Sequence, residues 1–182
     1  MRTERKNSIR QTIVDTASRL FYQQGYVNTG INQIIEESGV VKSSLYTAFR
    51  TKEEILMAYL ETAGAATDAA LKAAADKHTK AKDKVLGVFD YLIEMVQQKD
   101  YYGCNFLNII SEIPQDAETV RKQIKKQKNG VRRLFADILK PIQKEELADE
   151  IYVLFEGALI GNKVHDETWP VTTAREVVNK LL

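Results

Sequence analysis

The 182-residue chain is 44% hydrophobic and 28% charged, as in ordinary soluble globular proteins, and its length suits one long domain or two short ones. It lacks an apolar run of membrane-spanning length and the apolar segment of a signal peptide, and its single cysteine excludes an intrachain disulfide. We therefore expect a cytoplasmic protein with no membrane partner.

The first predicted helix runs from about Ser8 to Gln24 and ends at Gly25, a residue type common at helix ends. Its apolar residues share one face: Ile9, Ile13, Ala17, Leu20 and Phe21. A short basic arm precedes it, formed by Arg2, Arg5 and Lys6. Such an arm can reach into a DNA minor groove, or it is simply a solvated charged terminus, and both alternatives stay open.

Two short helices follow, separated by Gly39. In the first, Ile31, Ile34 and Ile35 share one face at helical spacing, and Gly39 accepts the left-handed backbone that ends a helix. In the second, Leu45, Ala48 and Phe49 form the inward stripe. Two short helices joined at a glycine form the helix-turn-helix pattern, whose second helix can enter the major groove of B-DNA.

The second helix of this pattern leaves a polar face exposed, formed by Lys42, Ser43, Ser44, Tyr46 and Thr47. A cation, three hydroxyls and a phenol are side-chain types that contact DNA. We expect Lys42 and Tyr46 to bind phosphate, with Ser44 and Thr47 nearer the base edges. Residues 1–52 contain eight Lys or Arg and four Asp or Glu, a local charge of +4 that suits a phosphate backbone.

This region resembles the DNA-binding signature of the TetR family of transcriptional regulators. The matching residues are Ala17, Leu20, Phe21, Gly25, Tyr26, Thr29, Gly39, Val40, Lys42, Leu45, Tyr46, Phe49, Lys52 and Glu54. The resemblance covers roughly the first third of the chain and implies an all-helical homodimer with a ligand-responsive C-terminal domain. We include Thr29 among the expected DNA contacts. Val41 departs from the family pattern, which usually has Ser or Thr as the N-cap of the recognition helix, and the missing cap costs about 1 kcal/mol unless Ser43 or Ser44 replaces it.

A capping box opens the fourth helix, with Thr51 as N-cap and Glu54 three residues later. Lys52 at the first helical position is expected to bind a DNA phosphate, and the alternative is simply a well-capped helix. The helix continues into the alanine-rich AGAATDAALKAAAD, a predicted rod between two domains. The predicted fold is all-α, with a three-helix helix-turn-helix DNA-binding domain over 1–50 and a helical ligand-sensing and dimerisation domain over 51–182.

The middle of the second domain is predicted to be its core. The helix from Ala81 to Gln98 is apolar on nearly every side, and a short apolar helix from Cys104 is closed by Pro114. Helix seven, about Asp116 to Leu139, has an inward apolar stripe, so we assign its cations to a solvated outer face rather than to a second nucleic-acid surface. These are Arg121, Lys122, Lys125, Lys126, Lys128, Arg132 and Arg133.

Helix eight, about Lys144 to His165, carries two apolar stripes, and a last helix is predicted to open after Pro170 at the capping box Thr173 to Glu176. One stripe of helix eight follows alternating spacings of four and three, and the other lies beside it. Surplus apolar surface on two helices predicts a four-helix dimer interface. We assign it to Leu154, Ala158, Gly161, Val177 and Leu181. The alternative is that both stripes pack within one subunit.

The sequence offers no supported catalytic set. His78 and His165 lack the spacing of metal ligands, and there is no glycine-rich phosphate loop and no GxSxG. We therefore expect no catalytic residue, no metal and no cofactor. A small thiol-based enzyme using Cys104 stays the alternative function.

Cys104 itself has two interpretations. It is either a small buried hydrophobic residue, or a nucleophile in the first turn after Gly103, where the helix dipole favours a thiolate and Lys163 adds a cation. This part of the chain and the LFEGALIGNKV run resemble, more loosely, a TetR branch that includes regulators of electrophile-detoxifying reductases. Without such chemistry, we expect a non-covalent inducer near Phe89, Phe106 and Phe155.

Together these patterns predict a dimeric, ligand- or electrophile-responsive transcriptional repressor. Its two recognition helices would lie about one DNA turn apart on a pseudo-palindromic double-stranded operator. An unidentified small-molecule inducer or electrophile would release it.

Overall fold

The computed structural model describes the backbone of residues 2–182 and the side chains from Ser8 onward. Within this range the chain is all-α, as predicted, with nine α-helices, two short 3-10 turns at Lys140–Ile142 and Glu145–Leu147, and no strand. The helices are α1 (Arg2–Gln24), α2 (Ile31–Ser38), α3 (Lys42–Ala48), α4 (Lys52–Asp76), α5 (Ala81–Val96), α6 (Asn105–Glu112), α7 (Glu118–Leu139), α8 (Ala148–His165) and α9 (Trp169–Leu181). None of the described helices is long and apolar enough to cross a membrane.

Two helices begin earlier than the sequence patterns predict. The backbone of the predicted basic arm is already helical, because α1 begins at Arg2 rather than near Ser8. The side chains of Arg2, Arg5 and Lys6 lie outside the described residues, and so does the expectation that they reach a minor groove. Helix α9 begins at Trp169 instead of Thr173, because Pro170 lies in its first turn, where a missing N–H costs no hydrogen bond.

The chain forms two compact units. Unit 1 comprises Met1–Ala63 and Asn105–Ile124, and unit 2 comprises Gly64–Cys104 and Lys125–Leu182. The predicted domains divide the chain at residue 50, whereas unit 1 also includes the first half of α4, all of α6 and the start of α7.

The core of unit 1 surrounds Phe21 of α1. Helix α1 packs against α2 and α3, and Ile34 of α2 and Leu45 of α3 are buried. The Phe21 ring makes edge-on contacts with Tyr26, at a centroid distance of 5.3 Å, and with Tyr59, at 5.8 Å. The inward stripes predicted for the first three helices therefore form one apolar core.

The core of unit 2 contains three phenylalanine rings. Phe89 of α5, Phe135 of α7 and Phe155 of α8 are buried, and their centroids lie 5.7 to 6.3 Å apart. Helix α9 packs against α5 and α8. The prediction of a buried α5 is confirmed for Val85, Leu86, Val88, Phe89 and Leu92. Ile93, Met95 and Val96, nearer the end of the helix, are half-buried.

Candidate functional site

A left-handed glycine places α3 after α2. Gly39 has φ of +65°, and its N–H donates to the Glu36 carbonyl at 3.3 Å. Val40 follows, its N–H donating to the Ser38 hydroxyl at 3.3 Å. This turn allows α3 to begin at Lys42, two residues after Val40, with Leu45 buried against α1.

The outer face of α3 carries the polar side chains that the sequence predicts. Lys42, Ser43, Tyr46 and Thr47 are exposed, and Ser44 is half-buried. The Thr47 hydroxyl donates to the Ser43 carbonyl at 2.7 Å, so its oxygen can still accept a hydrogen bond. A short helix with a cation, a phenol and hydroxyls on one exposed face can contact both phosphates and base edges.

Thr29 is not on this surface. Its side chain is fully buried, and its hydroxyl donates to the Gly25 carbonyl at 2.7 Å and accepts from the Gln24 amide at 3.2 Å. The expectation that Thr29 contacts DNA is corrected accordingly: its hydroxyl closes the turn before α2. Gly30 is the N-cap of α2.

The recognition helix begins at Lys42 without a side-chain cap. Val41 occupies the N-cap in an extended conformation, makes no capping hydrogen bond and is 66% exposed. Neither Ser43 nor Ser44 replaces the missing cap. Unpaired N–H groups in the first turn of α3 are therefore left to solvent or to DNA.

We expect Val41→Ser to raise the free energy of unfolding by about 1 kcal/mol, because serine at an extended N-cap accepts an N–H from the first turn. Urea denaturation measures this change. The matched control is Val27→Ser, since Val27 is similarly exposed but lies in a turn outside any helix. Equal effects of the two substitutions would contradict the assignment of Val41 as an uncapped N-cap.

Lys52 is the first residue of α4 and lies within the predicted capping box, between Thr51 and Glu54. The Glu54 N–H donates to the Thr51 hydroxyl at 3.1 Å, and the Glu54 carboxylate accepts the Arg50 N–H at 2.7 Å, one residue before the expected partner. The Lys52 ammonium lies 4.2 Å from the centre of the Tyr26 ring, a cation–π contact. Lys52 is half-buried rather than fully exposed, and burial lowers its pKa.

This unit contains a second cation–π contact, which the sequence patterns did not predict. The Arg10 guanidinium of α1 lies 4.7 Å from the centre of the Phe49 ring, next to the end of α3. The predicted inward stripe of α1 already used Ile9 and Ile13, and nothing in the spacing distinguishes Arg10 from other exposed residues. Its proximity to Phe49 could be found only from the packing of α1 on α3.

Cys104 lies in unit 2 beside a part-buried ion pair. It directly precedes α6 and is half-buried, and the preceding Gly103 has φ of +101°. The Lys128 ammonium of α7 lies 3.4 Å from the Cys104 sulfur and donates to both Glu156 carboxylate oxygens, at 2.9 and 2.8 Å. The structure thus groups a thiol, an ammonium and a carboxylate.

Two predictions about this region are corrected. The cation beside Cys104 is Lys128, whereas Lys163 is an exposed residue of α8. Lys128 also leaves the solvated face that the sequence assigned to the cations of α7, because its side chain is only 13% exposed. Burial alone would lower its pKa, but the neighbouring Cys104 and Glu156 outweigh burial and raise the pKa above the ordinary 10.5.

The phenylalanines expected around an inducer are divided between the two units. Phe89 and Phe155 are buried in the core of unit 2 with Phe135. Phe106 is buried in unit 1, on α6. The rings of Phe89 and Phe155 therefore stabilise the core of unit 2.

The outward face of α8 differs from both predicted stripes. Ala158 is buried, and a Cβ on Gly161 would lie 2.8 Å from the Pro170 side chain, so these two positions pack within the subunit. Leu154 is half-buried. The exposed apolar residues of α8 and α9, hereafter the α8–α9 stripe, are Val153, Ile160, Val164, Trp169, Val177 and Leu181. Of the residues predicted for the interface, Val177 and Leu181 are exposed, Leu154 and Gly161 are half-buried, and Ala158 is buried.

Across the described residues, no group of three or more His, Cys, Asp or Glu side chains could hold a metal ion.

Comparison with known proteins identifies the helix-turn-helix. Residues 13–59 match the family model for bacterial regulatory proteins of the tetR family. Over 47 residues the chain is 55% identical to the uncharacterised helix-turn-helix transcriptional regulator YxaF of Bacillus subtilis, a match that spans 26% of this chain and 25% of YxaF. Along 100% of its length and 98% of the relative, the chain is 22% identical to the transcriptional repressor NemR of Escherichia coli.

The fold extends this likeness over nearly the whole chain. The crystal structure of reduced E. coli NemR superposes with a TM-score of 0.85 at 23% identity, covering 94% of this chain and 95% of NemR. A TetR-family transcriptional regulator from Streptomyces coelicolor superposes with a TM-score of 0.87 at 24% identity, covering 94% of this chain and 88% of that one. These relatives are named as transcriptional regulators, so the comparisons do not support a thiol-based enzyme at Cys104. The helix-turn-helix region of this chain therefore matches the tetR family of bacterial regulatory proteins, and the chain shares its helical fold with solved TetR-family structures.

Proposed function

We propose that the protein is a dimeric transcriptional repressor that binds a pseudo-palindromic DNA operator and responds to an electrophile. The observation that carries this proposal is the exposed polar face of α3, held outward by the buried Leu45. The repressor activity named for NemR supports the direction of regulation. Because the proposed partner is DNA, we expect the protein in the cytoplasm.

The experiment that tests this proposal selects DNA from sheared genomic fragments with the purified protein and sequences what it retains. The logarithm of the binding constant for a recovered fragment should fall linearly with the logarithm of the salt concentration, since phosphate contacts release counterions. Retention of no fragment above random DNA would contradict the proposed function.

Lys52→Ala is expected to weaken binding to selected and random DNA alike and to reduce the salt slope by about 1, because one phosphate contact is lost. Fluorescence anisotropy at several salt concentrations measures both quantities. The matched control is Lys126→Ala, which removes an exposed cation of α7. Unchanged affinity and slope for Lys52→Ala would place the start of α4 away from the DNA backbone.

The dimer is proposed to form through the α8–α9 stripe. Exposed Val, Ile, Trp and Leu side chains on two consecutive helices are unusual on a monomer surface and typical of a subunit interface. Gly157, on the same side of α8 as Val153 and Ile160, has no atom within 4 Å of a built Cβ and allows a partner helix to approach closely. A four-helix interface of this kind would join two DNA-binding units.

Cys104 is proposed as the residue that electrophiles modify. Cysteines beside a lysine ammonium are among the most reactive in proteins, and Lys128 supplies this cation. With an α,β-unsaturated carbonyl, the sulfur would form a bond to the β-carbon, the alkene electrons would move to the carbonyl oxygen, and the resulting enolate would take a proton. An adduct that favours a conformation with low DNA affinity would then release the protein.

The carboxylate of Glu156 limits this reactivity. The carboxylate accepts a hydrogen bond from the Lys128 ammonium at 2.8 Å, whereas the Cys104 sulfur lies 3.4 Å from it. Its negative charge partly neutralises the ammonium. Burial is the largest cause that raises the pKa of Tyr152, and the nearby negative charge of Glu156 raises it further. Glu156 therefore moderates the effect of the Lys128 ammonium on Cys104.

A further inference from the structure

Glu112 is the last residue of α6, yet its carboxylate lies against the turn that joins α1 to α2. Its Oε2 accepts a hydrogen bond from the Val27 N–H at 2.8 Å, between residues 85 positions apart. Both carboxylate oxygens lie 3.0 Å from where a Cβ on Gly25 would be. Glycine is favoured at position 25 by its φ of +92°, and a Cβ there would also displace the Glu112 carboxylate.

The turn held by Glu112 determines where α2 begins. At the end of this turn Thr29 is buried, and its hydroxyl donates a hydrogen bond to the Gly25 carbonyl. The Gln24 side-chain amide donates a hydrogen bond to the Gln33 side chain of α2 at 2.8 Å. Only three residues, Gly39 to Val41, join α2 to α3. A displaced turn would therefore displace α2 and, with it, the recognition helix.

The same carboxylate acts on Lys52. The Lys52 ammonium lies over the ring of Tyr26, which belongs to this turn. Burial lowers the pKa of Lys52, and the negative charge of Glu112 opposes that change. One side chain of α6 thus anchors the turn through its hydrogen bond, and its charge has the smaller effect, since it does not outweigh the effect of burial on the pKa of Lys52.

We propose that Glu112 is a positioning residue for DNA binding. Its hydrogen bond to Val27 holds the turn, and with it Tyr26 and Lys52, in the arrangement that contacts DNA. This inference rests on the proposed function and deepens it, because it makes DNA affinity depend on α6, outside the helix-turn-helix. Since α6 begins directly after Cys104 in the chain, a change that displaces α6 would act on this contact.

Three variants of the full chain test the inference. Glu112→Ala removes the hydrogen-bond acceptor, and Glu112→Gln keeps an acceptor oxygen without the charge. Glu61→Ala removes an exposed carboxylate of α4 in the same unit and is the control. On a genomic fragment selected by the wild type, we expect Glu112→Ala to bind about tenfold more weakly, with a salt slope smaller by about 1. The other two variants should stay within about threefold of the wild type.

Anisotropy titrations at several salt concentrations, with thermal unfolding of each variant, decide the outcome. Wild-type affinity and salt slope in Glu112→Ala would overturn the inference and leave the proposed function intact. A loss in Glu112→Gln as large as in Glu112→Ala would also overturn it, and so would a lower melting temperature with an unchanged slope, which indicates a merely structural role. If the wild type selects no DNA, the proposed function fails first, and the inference fails with it.

Discussion

Ile160→Glu is expected to convert the dimer into monomers and to lower the affinity for an operator with two half-sites by about 100-fold or more. Ile160 is 45% exposed in the α8–α9 stripe, with Val153 and Val164 on the same helix. Burying an unpaired carboxylate in an apolar interface costs several kcal/mol, far more than a single contact there can return. A monomer then loses the avidity of two linked DNA-binding units, about 10² to 10⁴ in affinity. Sedimentation velocity and anisotropy measure the two effects.

The chain contains a closely matched control for this substitution. Ile142 is 44% exposed in the 3-10 turn after α7, outside the stripe, so Ile142→Glu should leave the dimer intact. Circular dichroism should show unchanged helix content in both variants. A dimeric Ile160→Glu protein, or a monomeric Ile142→Glu protein, would move the interface away from the α8–α9 stripe.

Cys104→Ser is expected to bind operator DNA like the wild type and to lose its response to N-ethylmaleimide completely. In the wild type, one equivalent of the reagent should form a single adduct and weaken DNA binding about tenfold or more. The chain has one cysteine, so the serine variant has no other thiol to react. Mass spectrometry counts the adduct, and anisotropy follows release. Release of Cys104→Ser by the reagent, or an alkylated wild type that still binds DNA, would contradict the sensor role.

The neighbours of Cys104 provide a second measurement of the same idea. Lys128→Met should slow alkylation and Glu156→Gln should accelerate it, each by about fivefold, because the first removes the cation and the second frees it from its carboxylate. Lys126→Met, at an exposed position of α7, controls for the loss of one lysine. Equal alkylation rates in all four proteins would show that Lys128 does not activate the thiol.

The helix-turn-helix could be predicted from the sequence because its determinants act over a few residues. Gly39 adopts the left-handed conformation of the turn, and the Thr51–Glu54 pair caps the start of α4. The helical spacing of apolar residues within α2 and within α3 directs Ile34 and Leu45 inward. The start of α9 shows where local rules compete. A proline can interrupt a helix or occupy its first turn, and Pro170 does the second, which the capping box at Thr173 concealed.

The outward face of α8 was decided by tertiary structure. Apolar residues occur on all sides of this helix, so their spacing defines no single inward direction. The packing of α9 on α8 covers Ala158 and places Pro170 against Gly161, and it leaves Val153 and Ile160 exposed. No local pattern distinguishes these faces, because the choice depends on where another helix lies.

The surroundings of Cys104 and Glu112 have the same origin. Seven cations of α7 look equivalent in sequence, and burial selects Lys128 because α7 and α8 bring it to Glu156 and the thiol. Glu112 reaches Val27 across 85 positions of the chain. The sequence by itself determined the exposed polar face of α3, since propensity, capping and periodicity are local. Only the folded chain determined which side chains meet beside Cys104 and at the α1–α2 turn, since those contacts depend on packing between helices far apart in sequence.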